Sequence, residues 1–287
     1  MTAVLLDGAV IARHTYAQLE PRLRALGKLG VRPGLAAVRV GDDPASAIYV
    51  RNKARACTEL GMHSEVHTLD GNCTESTLLE KLDLINRNPD IHGVIVQLPL
   101  PRQLNAERIQ QAIAVDKDVD GFGWYHLGAL VAGHPIYTPC TPLGVMAMLD
   151  YAGIAIEGRL AVVVGRSVNV GKPMALLLIS RGATVTVCNS KTPDLARHTA
   201  DADILVAAIG RAGLITADMV KPGAAVIDVG INRLPDGKIT GDVDFAAVNA
   251  KAGYLSPVPG GVGRMTVAML IANTVTAAER QSGLPQG

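Results

Sequence analysis

A phenol and an ammonium on one helix face make a ready pair for proton transfer, and Tyr49 and Lys53 have the four-residue spacing that puts them there. Burial or a nearby cation lowers the proton affinity of an ammonium, which suits it to acid/base work near neutral pH. The alternative is two long side chains lying along a solvated face with their tips in water. Upstream, Gly41-Asp42-Asp43-Pro44 is turn chemistry. Ser46 then stands where a helix cap is needed, and no proline or glycine interrupts the run to about Leu60. Two further groups lie downstream. Gln97 follows the apolar run from Val94 and is stopped by Pro99-Leu100-Pro101, so it sits near the carboxyl end of a strand, the edge where open α/β sheets collect ligands. Asp120 lies in Lys117-Asp-Val-Asp120-Gly-Phe122, where Asp-Gly alone reads most simply as a turn.

A second constellation is nucleotide-like. Gly165-Arg166-Ser167-Val-Asn-Val-Gly171 lies between a β-branched strand and a helix, the place of a phosphate-cradling turn, although the middle glycine of G-x-G-x-x-G is missing. The helix N-terminus there offers N–H groups and a partial positive charge to a pyrophosphate. The next strand, Thr184–Cys188, ends in Asn189-Ser190-Lys191, where an NAD-binding fold usually places the Asp or Glu that holds the ribose 2′-hydroxyl. A hydroxyl and a cation suit a 2′-phosphate, with Arg166 as a second cation, so NADP is expected over NAD. The plainer alternative makes Lys191 a solvated loop charge.

The elements that must position these groups alternate. In the first half, strands are expected over Leu35–Val40, Ser64–Leu69 and Val94–Leu98, with helices over Ser46–Leu60, Glu75–Asn88 and Asn105–Ala114, the pattern of βαβ units and a parallel sheet. Pro139 and Pro142 mark a boundary, and Pro142 is placed to start a helix over Leu143–Ala152. A second series follows: strands Ala161–Val164, Thr184–Cys188, Asp203–Ala207 and Ala225–Val229, with a helix over Lys172–Ser180, as in a dinucleotide-binding domain. A last helix, about Thr266–Glu279, is apolar on one side.

Bulk properties exclude several classes. At 287 residues the chain has room for two domains, and 48% hydrophobic with 18% charged residues describes a well-buried protein. A net charge of +1 without charge runs, two Phe and one Trp give no support for nucleic-acid binding or a polybasic membrane patch. The four cysteines are scattered, with no C-x-x-C and no His at zinc spacing, so a reducing compartment and no metal are expected. The N-terminus lacks a basic n-region and carries Asp7, and no apolar run approaches a membrane span, so a cytoplasmic location is expected.

The block from Gly41 to Lys53, Gly93-Val-Ile-Val-Gln97-Leu-Pro-Leu-Pro101, Lys117–Phe122 and Pro257-Val-Pro-Gly-Gly-Val-Gly263 resemble, in order, the signatures of the bifunctional methylenetetrahydrofolate dehydrogenase/cyclohydrolases. Leu5-Leu-Asp-Gly8 and Thr138-Pro-Cys-Thr-Pro142 fit too, so the resemblance runs from near residue 5 to near residue 275. It implies an α/β fold of two domains: residues 1–141, rejoined by the C-terminal helix 266–287, for folate, and 142–265 as a Rossmann-type NADP domain. Long helices would join them, with the substrate cleft between. The implied activity is oxidation of 5,10-methylenetetrahydrofolate by NADP+ and hydrolysis of the methenyl product to 10-formyltetrahydrofolate, in one-carbon metabolism that serves purine biosynthesis. A homodimer is implied as well.

The resemblance also distributes roles. Lys53 becomes the acid/base, Tyr49 positions it or the substrate, and Gln97 hydrogen-bonds Lys53. Leu98 and Pro99 join the substrate site, and Asp120 anchors the pterin through paired hydrogen bonds from its amino-pyrimidine edge. Pro259, Gly260 and Gly261 bring backbone close to the ligand, or else form a simple hinge. Gly165, Arg166, Ser167, Gly171, Ser190, Lys191, Ile231 and Thr141 become the cofactor site. This chain departs from the family pattern at several points. It has Gly123-Trp124-Tyr125-His126 where His-Pro-x-Asn is usual, Arg264 for a proline, Asn169 for an aliphatic residue, and Asn189 and Lys191 in place of His and Arg. Lysine keeps the charge but loses bidentate geometry toward phosphate. An altered loop at Gly123–His126 leaves open a dehydrogenase with impaired cyclohydrolase, and Trp124 beside Asp120 would either narrow the folate pocket or stack on the pterin. A non-catalytic binding protein on the same scaffold, and an unrelated Rossmann dehydrogenase of a small acid, are the other readings.

Overall fold

The computed structural model describes residues 2–284, and the chain divides into two compact units. One is Thr15–Cys140 with the chain from Val267 onward; the other is the chain up to His14 with Thr141–Thr266.

In the first unit three parallel strands lie in the order His63–Leu69, Gly34–Val40, Gly93–Val96. The central strand, Gly-Leu-Ala-Ala-Val-Arg-Val, is buried along nearly its whole length, as befits a parallel strand covered on both faces. Helices Pro44–Glu59, Glu75–Arg87 and Ala106–Gln111 follow the three strands. Side-chain caps start each of them: Asp43 accepts from Ser46 N–H at 2.7 Å, Thr74 from Thr77 N–H at 3.2 Å and Asn105 from Arg108 N–H at 3.0 Å. Ser46 is therefore not the cap expected from the sequence. Pro44 opens the helix in its favoured first-turn place, which leaves Asp43 just outside to receive the free N–H.

Leu78, Leu82 and Ile85 turn one face of the Glu75–Arg87 helix into a core with Val38, Val94, Val96 and Ile109. Leu84 falls off that stripe and stands 65% exposed. Leu82→Ala is expected to lower stability by about 2–5 kcal/mol, because a fully buried isobutyl group leaves a cavity. Urea denaturation reads this as a lower midpoint at unchanged slope; an unmoved midpoint would mean that this core does not hold the unit together.

The second unit carries a six-stranded, all-parallel sheet in the order Val4–Leu5, Tyr254–Leu255, Ala225–Asp228, Ile204–Ala207, Leu160–Val164, Thr184–Cys188. A two-stranded antiparallel ribbon, Asn232–Arg233 with Ile239–Thr240, stands beside it. The start of the chain thus belongs with the nucleotide-type sheet, whereas the sequence assigned it to the folate domain. Val4 and Leu5 pair with Tyr254 and Leu255, a contact between the two ends of the sequence that no local pattern announces. Helix Gly171–Ser180 crosses from Leu160–Val164 to Thr184–Cys188. Helix Cys140–Tyr151 begins before Pro142, which lies in its first turn. Two long helices, Gly8–Lys28 and Val262–Gln281, have residues in both units. The second is longer than expected and buried around most of its circumference rather than on one side.

Candidate active site

Lys53 emerges from the Pro44–Glu59 helix one turn after Tyr49, and its Nζ donates to Gln97 Oε1 at 3.2 Å. The Gln97 amide is held in that orientation, since its Nε2 donates to Leu98 O at 2.8 Å. The Gln97 backbone N–H donates to Val38 O at 2.8 Å, which carries the ladder one residue past Val96 and fixes the side chain at the carboxyl edge of the sheet. Tyr49 is 37% exposed. Pro99, after a cis Leu98–Pro99 bond, is exposed as well.

Asp120 comes to the same edge by another route. Asp118 bridges Val94 in parallel, so Asp120, two residues on, runs alongside the carboxyl end of the strand that delivers Gln97. Gly121 then turns the chain at φ +70°, and a Cβ there would stand 2.9 Å from the Thr138 carbonyl carbon, so the glycine is required. The Asp120 carboxyl is buried, and that burial raises its proton affinity while the Lys53 ammonium and the Cys140 thiol pull it back. Cys140 itself donates to Val119 O at 3.3 Å, and its thiol is pushed well up by burial. Asn273 completes the frame from the C-terminal helix, its Nδ2 donating to Val119 O at 2.8 Å and Thr138 O at 3.1 Å. Neither Cys140 nor Asn273 was singled out as a site neighbour from sequence, because each acts on Val119 across a long stretch of chain.

The segment after Asp120 is not a loop. Gly123 is the N-cap of helix Trp124–Val131. Trp124 and Tyr125 stand 64% and 57% exposed, whereas His126 is fully buried against Tyr137 with its Nε2 donating to Val115 O at 2.9 Å. The unusual residues therefore turn an imidazole into the core and the tryptophan outward. Asp118 Oδ2 accepts from Gly123 N–H at 2.6 Å, and a Cβ at 123 would stand 2.8 Å from that oxygen, which accounts for the glycine. Burial pushes the Asp118 carboxyl from 3.8 up to about 6, against the pull of the Gly121, Phe122 and Gly123 N–H groups. Between those values the folded chain keeps a proton that the unfolded chain releases, so stability falls as pH rises through the window and levels off above it. Asp118→Asn removes the titration and is expected to gain on the parent by about 1–3 kcal/mol between pH 4 and pH 6.5. Urea midpoints at the two pH values check this, and a constant difference would show that Asp118 ionises normally in the fold.

On the nucleotide side, Gly165 has φ +138° and Ala208 O occupies the space that its Cβ would need; Gly171 is pressed equally close against Gly165 O. Both glycines are thus sterically obligatory. The expected row of free N–H groups at the helix start is taken up inside the turn. Ser167 Oγ accepts from Val170 N–H at 3.2 Å and Gly171 N–H at 3.3 Å, Ser167 O accepts from Lys172 N–H at 3.0 Å, and Pro173 has none to offer. Arg166, Ser167 and Val168 face outward from the turn. One strand over, Asn189 Oδ1 accepts from Lys191 N–H at 3.0 Å and Thr192 Oγ1 from Asn189 N–H at 2.9 Å, a local turn that leaves Ser190 and Lys191 exposed. Gly165 N–H bonds Cys188 O at 2.9 Å, so both turns leave the sheet at one level. A hydroxyl and two cations, with no carboxylate at the strand end, fit a phosphorylated ribose.

Ile231 is half exposed after Ala225–Asp228, and Thr141 Oγ1 meets Thr266 Oγ1 at 3.0 Å. Pro259, Gly260 and Gly261 belong to this same unit. Gly260 O accepts from Gly8 N–H at 2.9 Å, and a Cβ on Gly8 would collide with Gly261 O. Among the described residues no group of three or more His, Cys, Asp or Glu is arranged for a metal ion, and no helix is long and apolar enough to cross a membrane.

Comparison with known proteins covers almost the whole chain. Residues 6–120 match the family model for the tetrahydrofolate dehydrogenase/cyclohydrolase catalytic domain, and 139–282 that for its NAD(P)-binding domain. A "Bifunctional protein FolD" of Nitrosospira multiformis is 56% identical over 287 residues, 100% of both chains. The crystal structure of the bifunctional FolD methylenetetrahydrofolate dehydrogenase/cyclohydrolase from Campylobacter jejuni superposes with a TM-score of 0.94 at 46% identity, covering 97% of this chain and 99% of that one. The Trypanosoma brucei dehydrogenase-cyclohydrolase, complexed with NADP cofactor and inhibitor, gives 0.94 at 36% identity, covering 98% and 99%.

Proposed function

This chain belongs to the tetrahydrofolate dehydrogenase/cyclohydrolase family, and on that footing we propose that it oxidises 5,10-methylenetetrahydrofolate with NADP+ and hydrolyses the methenyl product to 10-formyltetrahydrofolate. The observation that carries the reading is the Lys53–Gln97 hydrogen bond at the same sheet edge as the buried Asp120 carboxyl.

Asp120 holds the pterin by accepting from its amino-pyrimidine edge, an interaction strengthened because the carboxyl is desolvated. Tyr49 and Gln97 orient the folate and the lysine. NADP+, when bound, supplies the hydride acceptor for the first step. Gly165 and Gly171 shape the turn that would hold its phosphates, and the exposed Ser190, Lys191 and Arg166 would hold the 2′-phosphate. In the second step water adds to the methenyl carbon, and Lys53 moves the proton between that water and the ring nitrogen whose bond to carbon breaks. Gln97 keeps the Lys53 Nζ aimed while the proton moves.

The exposed Trp124 and the inward His126 support an intact second activity, since the helix they start leaves the Lys53–Gln97 contact in place. A homodimer, a cytoplasmic location and supply of formyl groups to purine biosynthesis belong to the same reading and rest on the family alone. The purified chain with 5,10-methylenetetrahydrofolate is expected to form NADPH from NADP+ faster than NADH from NAD+. Absence of reduction with either nucleotide would overturn the proposal.

A further inference from the structure

Two buried carboxylates of the nucleotide-type unit take no part in the chemistry above. Asp242 is fully buried and Asp228 nearly so. Asp242 Oδ2 accepts from Ile209 N–H at 2.6 Å and Gly210 N–H at 2.9 Å, and its Oδ1 accepts from Arg211 N–H and Asn232 Nδ2, both at 2.8 Å. Asp228 Oδ1 accepts from the N–H groups of Gly230 and Asp242, and its Oδ2 from that of Val243, all at 2.9 Å. The packing is so close that a Cβ on Gly230 would collide with the Asp242 carboxylate, and one on Gly241 with that of Asp228.

These bonds fasten two segments: Ile209–Arg211, after the strand Ile204–Ala207, and Gly230–Asn232, after Ala225–Asp228. Both strands run parallel to Leu160–Val164, whose end carries the glycine turn. Ala208 N–H donates to Val164 O at 2.8 Å, and Ala208 O sits against Gly165. The segment that begins at Ile209 therefore borders the phosphate turn, and Gly230–Asn232 lies at the end of the next strand over, on the same edge of the sheet, where open α/β sheets bind ligands.

We infer that Asp242 is a positioning residue for the dinucleotide, holding Ile209–Arg211 and Gly230–Asn232 in the shape NADP requires, with Asp228 fixing Asp242 in turn. This rests on the reading of the unit as the NADP site. Only a carboxylate answers all four donors, because an amide turns one of its two acceptor atoms into an NH2. Either orientation of an asparagine at 242 sets that NH2 against two donors.

Asp242→Asn is expected to raise both the Kd and the KM for NADP+ about tenfold or more, through loss of charge-assisted hydrogen bonds. Its hydrolysis of methenyltetrahydrofolate without nucleotide is expected to stay within about twofold of the parent, since that step needs none of these segments. Asn232→Ala, which removes a single donor, is expected to shift the NADP+ Kd in the same direction by about two- to fivefold, and it serves if the first variant does not fold. A folded Asp242→Asn with unchanged NADP+ Kd, or one whose hydrolysis falls in parallel, overturns the inference. A parent chain that shows no NADP+ binding by calorimetry overturns the cofactor reading and the inference together.

Discussion

Lys53→Met is expected to lower hydrolysis of methenyltetrahydrofolate by about 10²–10⁴-fold, the usual contribution of a positioned acid/base group. Methionine keeps the length of the aliphatic stem but cannot carry a proton, so packing on the Pro44–Glu59 helix is preserved and Gln97 Oε1 loses its donor. Dehydrogenation is expected to fall much less, because hydride transfer depends on orientation rather than on a proton relay. Methenyltetrahydrofolate would then accumulate one-for-one with NADPH. Lys53→Arg separates charge from proton transfer: it restores a cation beside Asp120 but not an exchangeable base, and hydrolysis is expected to stay low. Recovery of hydrolysis in the arginine variant would reduce the role of Lys53 to electrostatics.

Asp120→Asn is expected to raise KM for 5,10-methylenetetrahydrofolate about 10- to 100-fold and to leave KM for NADP+ within about twofold. The loss is that of one or two charge-assisted hydrogen bonds, each about 1.5–3 kcal/mol. Asparagine also presents an NH2 to a substrate amino group, two donors facing each other. The carboxyl is buried, so water replaces the lost interaction poorly. Steady-state kinetics with each substrate varied in turn reads the split. An unchanged folate KM would show that the pterin is held elsewhere.

The Thr184–Cys188 strand has the bounds read from its β-branched run, and the central strand differs from the reading by one residue, because both are short, apolar and flanked by breakers. That Gln97 stands near the carboxyl end of its strand was legible from the proline that stops it, whereas its hydrogen bond with Lys53 was implied by the family resemblance. What escaped depends on contacts distant in sequence. Helix Gly8–Lys28 carries Pro21 in its interior and a mixed polar surface, so no clean period marks it. The residues Gly123–His126, expected to form a loop, instead start the helix Trp124–Val131, whose N-cap is a glycine with no side chain to announce it. His126 is a buried neighbour of Tyr137, a packing role that its sequence context does not announce. Asp242 gathers donors from two other loops, and nothing in its own neighbourhood of the sequence marks it. Such groups leave no periodic trace, because their partners are backbone N–H groups far along the chain.

The most direct measurement follows the purified chain with 5,10-methylenetetrahydrofolate and NADP+ while recording NADPH and methenyltetrahydrofolate in the same sample. The account predicts NADPH formation with methenyl hydrolysis well above the rate in buffer, despite Gly123-Trp124-Tyr125-His126. NADPH formation with methenyl decaying only at the buffer rate would contradict it and leave a dehydrogenase alone.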